Sequence, residues 1–296
     1  MGCVSGALVG TISLLFLFLV GVCVFAVAYA AIAADLPSAE ALRAQSAGFV
    51  STQIYDRSGH LLYEIHDPTG GRRILVPYER ISPHLINATI ATEDERFWQH
   101  PGVDPIAFLR AVWYNVQEQR IVSGFSSIPQ QVARLVLLSP QERTEQTLKR
   151  KIREAVLASE ISRRYTKRDI LEIYLNEINY GSLAYGIQAA ADTYFGKRAN
   201  ELTLAEAAML AGLPQAPPYW DPYTNWEGAK RRQAVVLGLM VEAGYISATE
   251  AQAAQAEELT LRPLRFDVEA PHFVTWVQQL LEQKYGADVH YRSGLR

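Results

Sequence analysis

The sequence predicts a mainly α-helical domain with a small β-hairpin at its N-terminal entrance, preceded by one transmembrane helix. Three observations carry that prediction. Residues 2–34 contain no charged side chain. Apolar residues alternate on either side of a turn that contains Gly59. From Pro83 onward, apolar positions recur at helical spacing and several helix starts carry capping signatures.

The uncharged run comes first. A spanning helix needs roughly 20 apolar residues, and residues 8–34 exceed that. A cleaved signal peptide competes, because Ala28-Tyr29-Ala30 and Ala31-Ile32-Ala33 have the small-residue pattern of a cleavage site. The stretch is long for an h-region and no basic segment precedes it, which favours an uncleaved anchor. The first basic residue, Arg43, follows the span, so charge placement does not support an N-in topology.

Residues 35–48 are polar and alanine-rich and read as a short stalk. Ser51-Thr52-Gln53-Ile54-Tyr55, the turn Asp56-Arg57-Ser58-Gly59 and residues 60–66 read as a hairpin. Residues 72–76 are expected to add a third short strand. Thr166-x-x-Asp169, Thr203-x-x-Glu206 and Ser247-x-x-Glu250 mark helix starts, and Gly244 is placed to end a helix running from about Glu227. Prolines at 214, 217, 218 and 222 mark an irregular connection.

Composition narrows the function classes. A net charge of −3 gives no case for a nucleic-acid partner. Both cysteines, Cys3 and Cys23, lie in the apolar run, so the rest of the chain offers neither a disulfide framework nor a cysteine metal site.

Three clusters stand out as chemistry. The first is Glu93-Asp94-Glu95-Arg96-Phe97-Trp98-Gln99-His100-Pro101-Gly102. Its bland reading is an acidic helix end with the aromatics turned inward. It lacks the paired histidines of a zincin helix, and no metal ligands are assigned. The second is Gly124-Phe125-Ser126-Ser127-Ile128-Pro129-Gln130-Gln131, with Arg134 beyond it. Hydroxyls and amides at a loop-to-helix transition suit a sugar or polyphosphate, and an ordinary N-cap at Ser126 or Ser127 explains the segment equally well. Pro129 fits a first helical turn. The third surrounds Arg150, Lys151 and Glu154, where residues 134–168 hold ten Lys/Arg against four Asp/Glu. A solvated helix face is the usual explanation of such a run, and an anionic partner the alternative.

In this order and register the clusters resemble the motifs of the peptidoglycan glycosyltransferases (glycosyltransferase family 51) of class A penicillin-binding proteins and their monofunctional relatives. Glu93, Asp94, Phe97, His100 and Gly102 meet the first motif in full. Gly124, Ser126, Ile128, Gln130 and Gln131 meet the second, with Ser127 and Pro129 in place of two threonines. Arg150, Lys151, Glu154 and Ala158 meet the third, although Ile161-Ser162 stands where relatives often have Leu-Glu. The segment Lys167-x-x-Ile170-Leu171-Glu172-x-Tyr174-Leu175-Asn176 resembles the fourth. Arg231, Arg232, Val235 and Leu237 resemble the fifth.

The resemblance implies a lysozyme-like, two-lobed helical fold held against the outer face of the bacterial cytoplasmic membrane by a single span. It implies a lipid-linked disaccharide-peptide (lipid II) donor, a growing glycan acceptor and inverting displacement of a polyprenyl diphosphate. Glu93 is expected to act as general base, and Glu154 to orient cations, hold a metal or assist the leaving group. Asp94, Phe97, His100, Ser126, Ser127, Gln130, Gln131, Arg134, Arg150 and Lys151 are expected to bind substrate. Mg²⁺ or another divalent cation is expected to assist. The region 108–122, with Trp113 and Tyr114, resembles a membrane-contacting flap; two core aromatics are the alternative.

These readings divide the chain into an anchor (1–34), a stalk (35–48), a glycosyltransferase domain (49–258) and a C-terminal helix with the start of a connector (259–296). No S-x-x-K, S-D-N or K-T-G occurs, so the transpeptidase that often follows is expected to be absent from a truncated bifunctional chain. Expected partners are lipid II, the glycan strand, membrane lipids, and a transpeptidase domain or cell-wall synthesis proteins. The competing functions are a lysozyme-like hydrolase, for which a catalytic glutamate in apolar surroundings is expected, and an inactive membrane scaffold.

Overall fold

The computed structural model describes residues 2–34, 36, 37, 42, 50–65, 71–117, 126–263 and 269–285. Most of the stalk, residues 118–125 (including Gly124 and Phe125) and the connector beyond residue 285 lie outside them, as does the side chain of Tyr114.

The uncharged run forms helix α1 (Gly2–Ala34). Its stretch Leu14–Ala34 is long and apolar enough to cross a membrane. Strands β1 (Thr52–Tyr55) and β2 (Leu61–Ile65) pair antiparallel, Thr52 opposite Ile65, with an irregularity between Ile54 and Tyr55. The turn closes through Asp56, whose carboxylate accepts the N–H groups of Ser58 and His60, each at 2.8 Å.

The expected third strand differs from the sequence reading. Only Arg72–Arg73 (β3) is extended; the Ser51 N–H donates to its Arg73 carbonyl at 3.0 Å, and it pairs parallel with β4 (Ala184–Tyr185). The Arg72 guanidinium bridges the two sides, bonding Glu64 on β2 at 2.6 Å and Asp192 in the helical body at 2.7 Å.

Helices α2 (Pro83–Glu93), α3 (Pro105–Gln117), α4 (Ile128–Val132), α5 (Pro140–Thr144), α6 (Leu148–Arg164) and α7 (Lys167–Glu177) precede β4. After it come α8 (Ile187–Phe195), α9 (Leu204–Gly212), α10 (Pro217–Trp220), α11 (Trp226–Glu242), α12 (Ala248–Ala256) and α13 (Pro271–Tyr285). The three capping boxes read from sequence form at α7, α9 and α12. Gly244 sits just past α11 at φ 73°, the left-handed conformation that suits a C-terminal glycine.

Two helical groups share one apolar core. The first packs α9, rich in alanine and buried throughout, against α2 and α11. The second packs α4 on α6 and α7. The Glu93–Gly102 segment joins them, and its last residue fixes the join. Gly102 has φ 118°, and a Cβ there would lie 2.5 Å from the carbonyl oxygen of Ala158 on α6. A loop can approach a helix backbone this closely only where both residues are small.

Gly102→Ala is therefore expected to destabilise the fold by about 2–4 kcal/mol, combining left-handed strain with overpacking. Thermal denaturation checks this, and a melting temperature within a degree of the parent contradicts the packing described.

Candidate active site

Glu93 is the last residue of α2, where the helix gives way to the connecting segment. Its Oε2 accepts a hydrogen bond from Gln131 Nε2 on α4 at 2.7 Å. The Gln131 Oε1 lies 3.5 Å from the hydroxyl of Tyr174, which is wholly buried on α7. Burial pushes the Glu93 pKa above its ordinary value, with Asp94 adding to the rise; Gln131, Arg232 and Arg134 act against it. The carboxyl is thus a stronger base than a solvated glutamate, with its charge compensated from two sides.

The residues that follow Glu93 differ from expectation. Asp94, Phe97 and His100 are buried, and their polar atoms are spent inside the protein. His100 Nε2 lies 2.9 Å from both oxygens of Asp94, while its Nδ1 accepts the Gly102 N–H at 3.1 Å. The imidazole proton therefore sits on Nε2, facing the carboxylate. Asp94 also accepts the Ile128 N–H at 2.9 Å, at the start of α4. Phe97 carries the Lys167 ammonium 4.6 Å from its ring centre. These three residues build the support for the site and present no free polar atom to a ligand.

Ser127 and Gln130 are likewise structural. Ser127 caps α4 and Gln130 returns the bond to its N–H at 3.0 Å, a capping box that the sequence carries as Ser127-x-x-Gln130. The Ser127 hydroxyl also donates to the Gly102 carbonyl. Pro129 stands in the first turn of α4, where a missing N–H leaves no intrahelical bond unmade. Its departure from the family pattern leaves the helix start intact.

The basic cluster is ordered by Glu154, whose side chain is 1% exposed on α6. One carboxylate oxygen pairs with Arg150, and the other lies 3.1 Å from Lys151 Nζ. Arg150 is largely buried and also donates to the Glu145 carbonyl, which leaves it committed to the protein. Lys151 is a third exposed and donates to the Ser126 hydroxyl at 2.7 Å. Glu154 thus meets two cations rather than a substrate, and among its expected tasks the geometry fits the orienting one.

Glu93 and Lys151 consequently meet the same short stretch of chain, one at Gln131 and the other at Ser126. Arg134 lies one turn further on, in a π-helical continuation of α4 (Ala133–Leu137). The sequence reading left Arg232 and Tyr174 out of the site. Gly212 makes room for Arg232: a Cβ at 212 would lie 2.8 Å from the arginine Cγ, and the Gly212 carbonyl accepts its Nε at 3.3 Å. The available signal was the motif match itself, which carries Tyr174 in its fourth element and Arg232 in its fifth.

The donors do not suit a resident divalent cation. Glu154 faces cations with both oxygens, and among the described residues no group of three or more His, Cys, Asp or Glu side chains is placed to hold a metal. A cavity of about 650 Å³ lies elsewhere, beside Glu64, Arg72 and Asp192, and none of the expected site residues lines it.

The surface beside the site is apolar. Ile106, Leu109 and Trp113 are exposed along α3, with Trp113 65% accessible, and Leu148 and Ile152 are exposed on α6. Trp113 is therefore a surface residue, contrary to the core alternative.

The chain is 41% identical to penicillin-binding protein 1A of Aquifex aeolicus over 246 residues, which cover 83% of this chain and 33% of that protein. It is 41% identical to the Haemophilus influenzae protein of the same name, covering 82% and 28%, and 39% identical to the Escherichia coli one, covering 83% and 28%. The chain thus spans about a third or less of the length of the curated relatives it matches. Among solved structures, the H. influenzae penicillin-binding protein 1A is 28% identical with a TM-score of 0.46, covering 83% of this chain and 26% of that one. The transglycosylase family model matches residues 58–241, well over half of the chain, which therefore belongs to the transglycosylase family.

Proposed function

We propose that the chain is a peptidoglycan glycosyltransferase that polymerises lipid II into glycan strands. The observation that carries this reading is the pairing just described: a carboxylate of raised basicity and a partly exposed lysine, both tied to residues 126–131.

The chemistry follows from those groups. The acceptor is a sugar 4-hydroxyl, a poor nucleophile until its proton is removed, and Glu93 removes it. The hydroxyl oxygen attacks the anomeric carbon of the donor as the bond to the diphosphate breaks. Configuration inverts in this single displacement, and no sugar–enzyme intermediate forms. The leaving diphosphate needs countercharge rather than a proton. Lys151 supplies it, with Arg134 nearby and Arg150 held behind it by Glu154. Gln131 aims the Glu93 carboxylate, while Arg232 and Arg134 keep its ionised form accessible despite burial.

The apolar faces of α3 and α6 suit contact with lipid, where the donor resides. We assign α1 as a single membrane span with the domain on the outer face of the cytoplasmic membrane, because lipid II polymerisation takes place there. A transpeptidase or other cell-wall synthesis partner remains part of the same reading. A hydrolase is disfavoured by the family to which the chain belongs.

Glu93→Gln keeps the volume and removes the base, so polymerisation of purified lipid II is expected to fall by about 100-fold or more. A product ladder formed at near the parent rate refutes the assignment. Because burial raises the Glu93 pKa, the acid limb of the kcat/KM profile is expected above the ordinary glutamate value of 4.5, with activity lost as pH falls through it. A limb at or below 4.5 contradicts the geometry.

Lys151→Met is expected to lower turnover about tenfold or more, as loss of one group stabilising transition-state charge does, while Lys151→Arg retains most of it. Unchanged turnover in Lys151→Met removes this lysine from the diphosphate site.

A further inference from the structure

The C-terminal end of α6 makes contacts that the reaction does not explain. Glu160 is 1% exposed there, and a buried carboxylate requires partners. Two come from its own helix: Arg163 at 2.5 Å and Arg164 at 3.3 Å. The third is the hydroxyl of Tyr29, which reaches it from α1, 131 positions away in sequence.

The link is reinforced from the same helix end. α1 has no basic residue in its last turn, so it brings no cation of its own to its terminal carbonyls. Arg164 supplies that cation: its guanidinium donates to the carbonyls of Ala33 and Leu36, each at 3.4 Å. The Tyr165 hydroxyl donates to the Pro37 carbonyl at 2.8 Å. One acid therefore gathers a tyrosine of the span and two arginines of the catalytic domain, and one of those arginines caps the span.

We propose that Glu160 is a positioning residue that locks α1 to α6 and so fixes the height of Lys151 above the membrane. The inference rests on the diphosphate role given to Lys151. Glu160 and Lys151 stand nine residues apart on one helix, about 14 Å along its axis. A tilt of about 20° at the lock displaces the lysine by about 5 Å at this lever length, which takes it out of hydrogen-bonding reach of a phosphate. The exposed Leu148 and Ile152 sit at the far end of α6, so the lock at Glu160 holds the helix at its opposite end.

The test uses the full chain in vesicles of phosphatidylglycerol and phosphatidylcholine, with Glu160→Gln, Tyr29→Phe and the double variant. Spin labels at the exposed Cys23 and at Lys149→Cys, in a Cys3→Ser background, report the distance between α1 and α6. The parent is expected to give a narrow distribution and each variant a broader one, with the double variant no broader than Glu160→Gln.

The KM for the lipid-linked donor is expected to rise about tenfold, which corresponds to about 1.4 kcal/mol. The kcat is expected to fall severalfold, toward the Lys151→Met value, because the displaced lysine no longer meets the leaving diphosphate. An unchanged distribution in Glu160→Gln overturns the lock, and a broadened distribution with kcat equal to the parent's overturns its role in placing Lys151. A parent protein that makes no glycan refutes the preceding function instead, and the distance measurement still decides the lock.

Discussion

The carboxylate of Asp94 is the constraint on which the site depends. It is buried, takes the His100 ring N–H on one side and the Ile128 backbone N–H on the other, and so holds the end of α2 to the start of α4. Removal of either partner strands a charge in a low-dielectric interior, an outcome far costlier than the modest net gain of an ordinary hydrogen bond. Glu93 is the adjacent residue, and its position beside Gln131 follows from this junction.

A division of labour runs through the motif residues. Those with buried polar atoms set geometry: Asp94, His100, Ser127 and Gln130 around α4 through hydrogen bonds, and Glu154 within α6 through its two ion pairs. Those placed where a ligand could reach them are fewer, chiefly Glu93 and the partly exposed Lys151. Glu154 shows how the two kinds connect. It is held between two cations, so neither Arg150 nor Lys151 swings freely, and their positive charge is fixed in place.

Much of this was legible in the sequence, for physical reasons that can be named. The uncharged run, the Asp56 turn, the three capping boxes and Gly244 are local signals, and local signals survive folding. The strand at Arg72 is shorter than its local pattern suggests because its partners are remote: the parallel strand β4 and Asp192, 120 positions away. Asp94, Phe97 and His100 were grouped with ligand-binding residues because a motif records that residues act together, not which of them faces the cleft. Arg232 is carried by the fifth motif, but its approach to Glu93 depends on a glycine in another helix, a relation that no periodicity reveals.

Pro129 carries one more implication. The turn it occupies needs neither a hydroxyl nor an amide hydrogen at that place, because the capping contacts come from the residues on either side. The position is thus chemically silent in the architecture of α4. A search template that insisted on threonine there would pass over chains built like this one, whereas a template keyed to the flanking serine and glutamine would retrieve them.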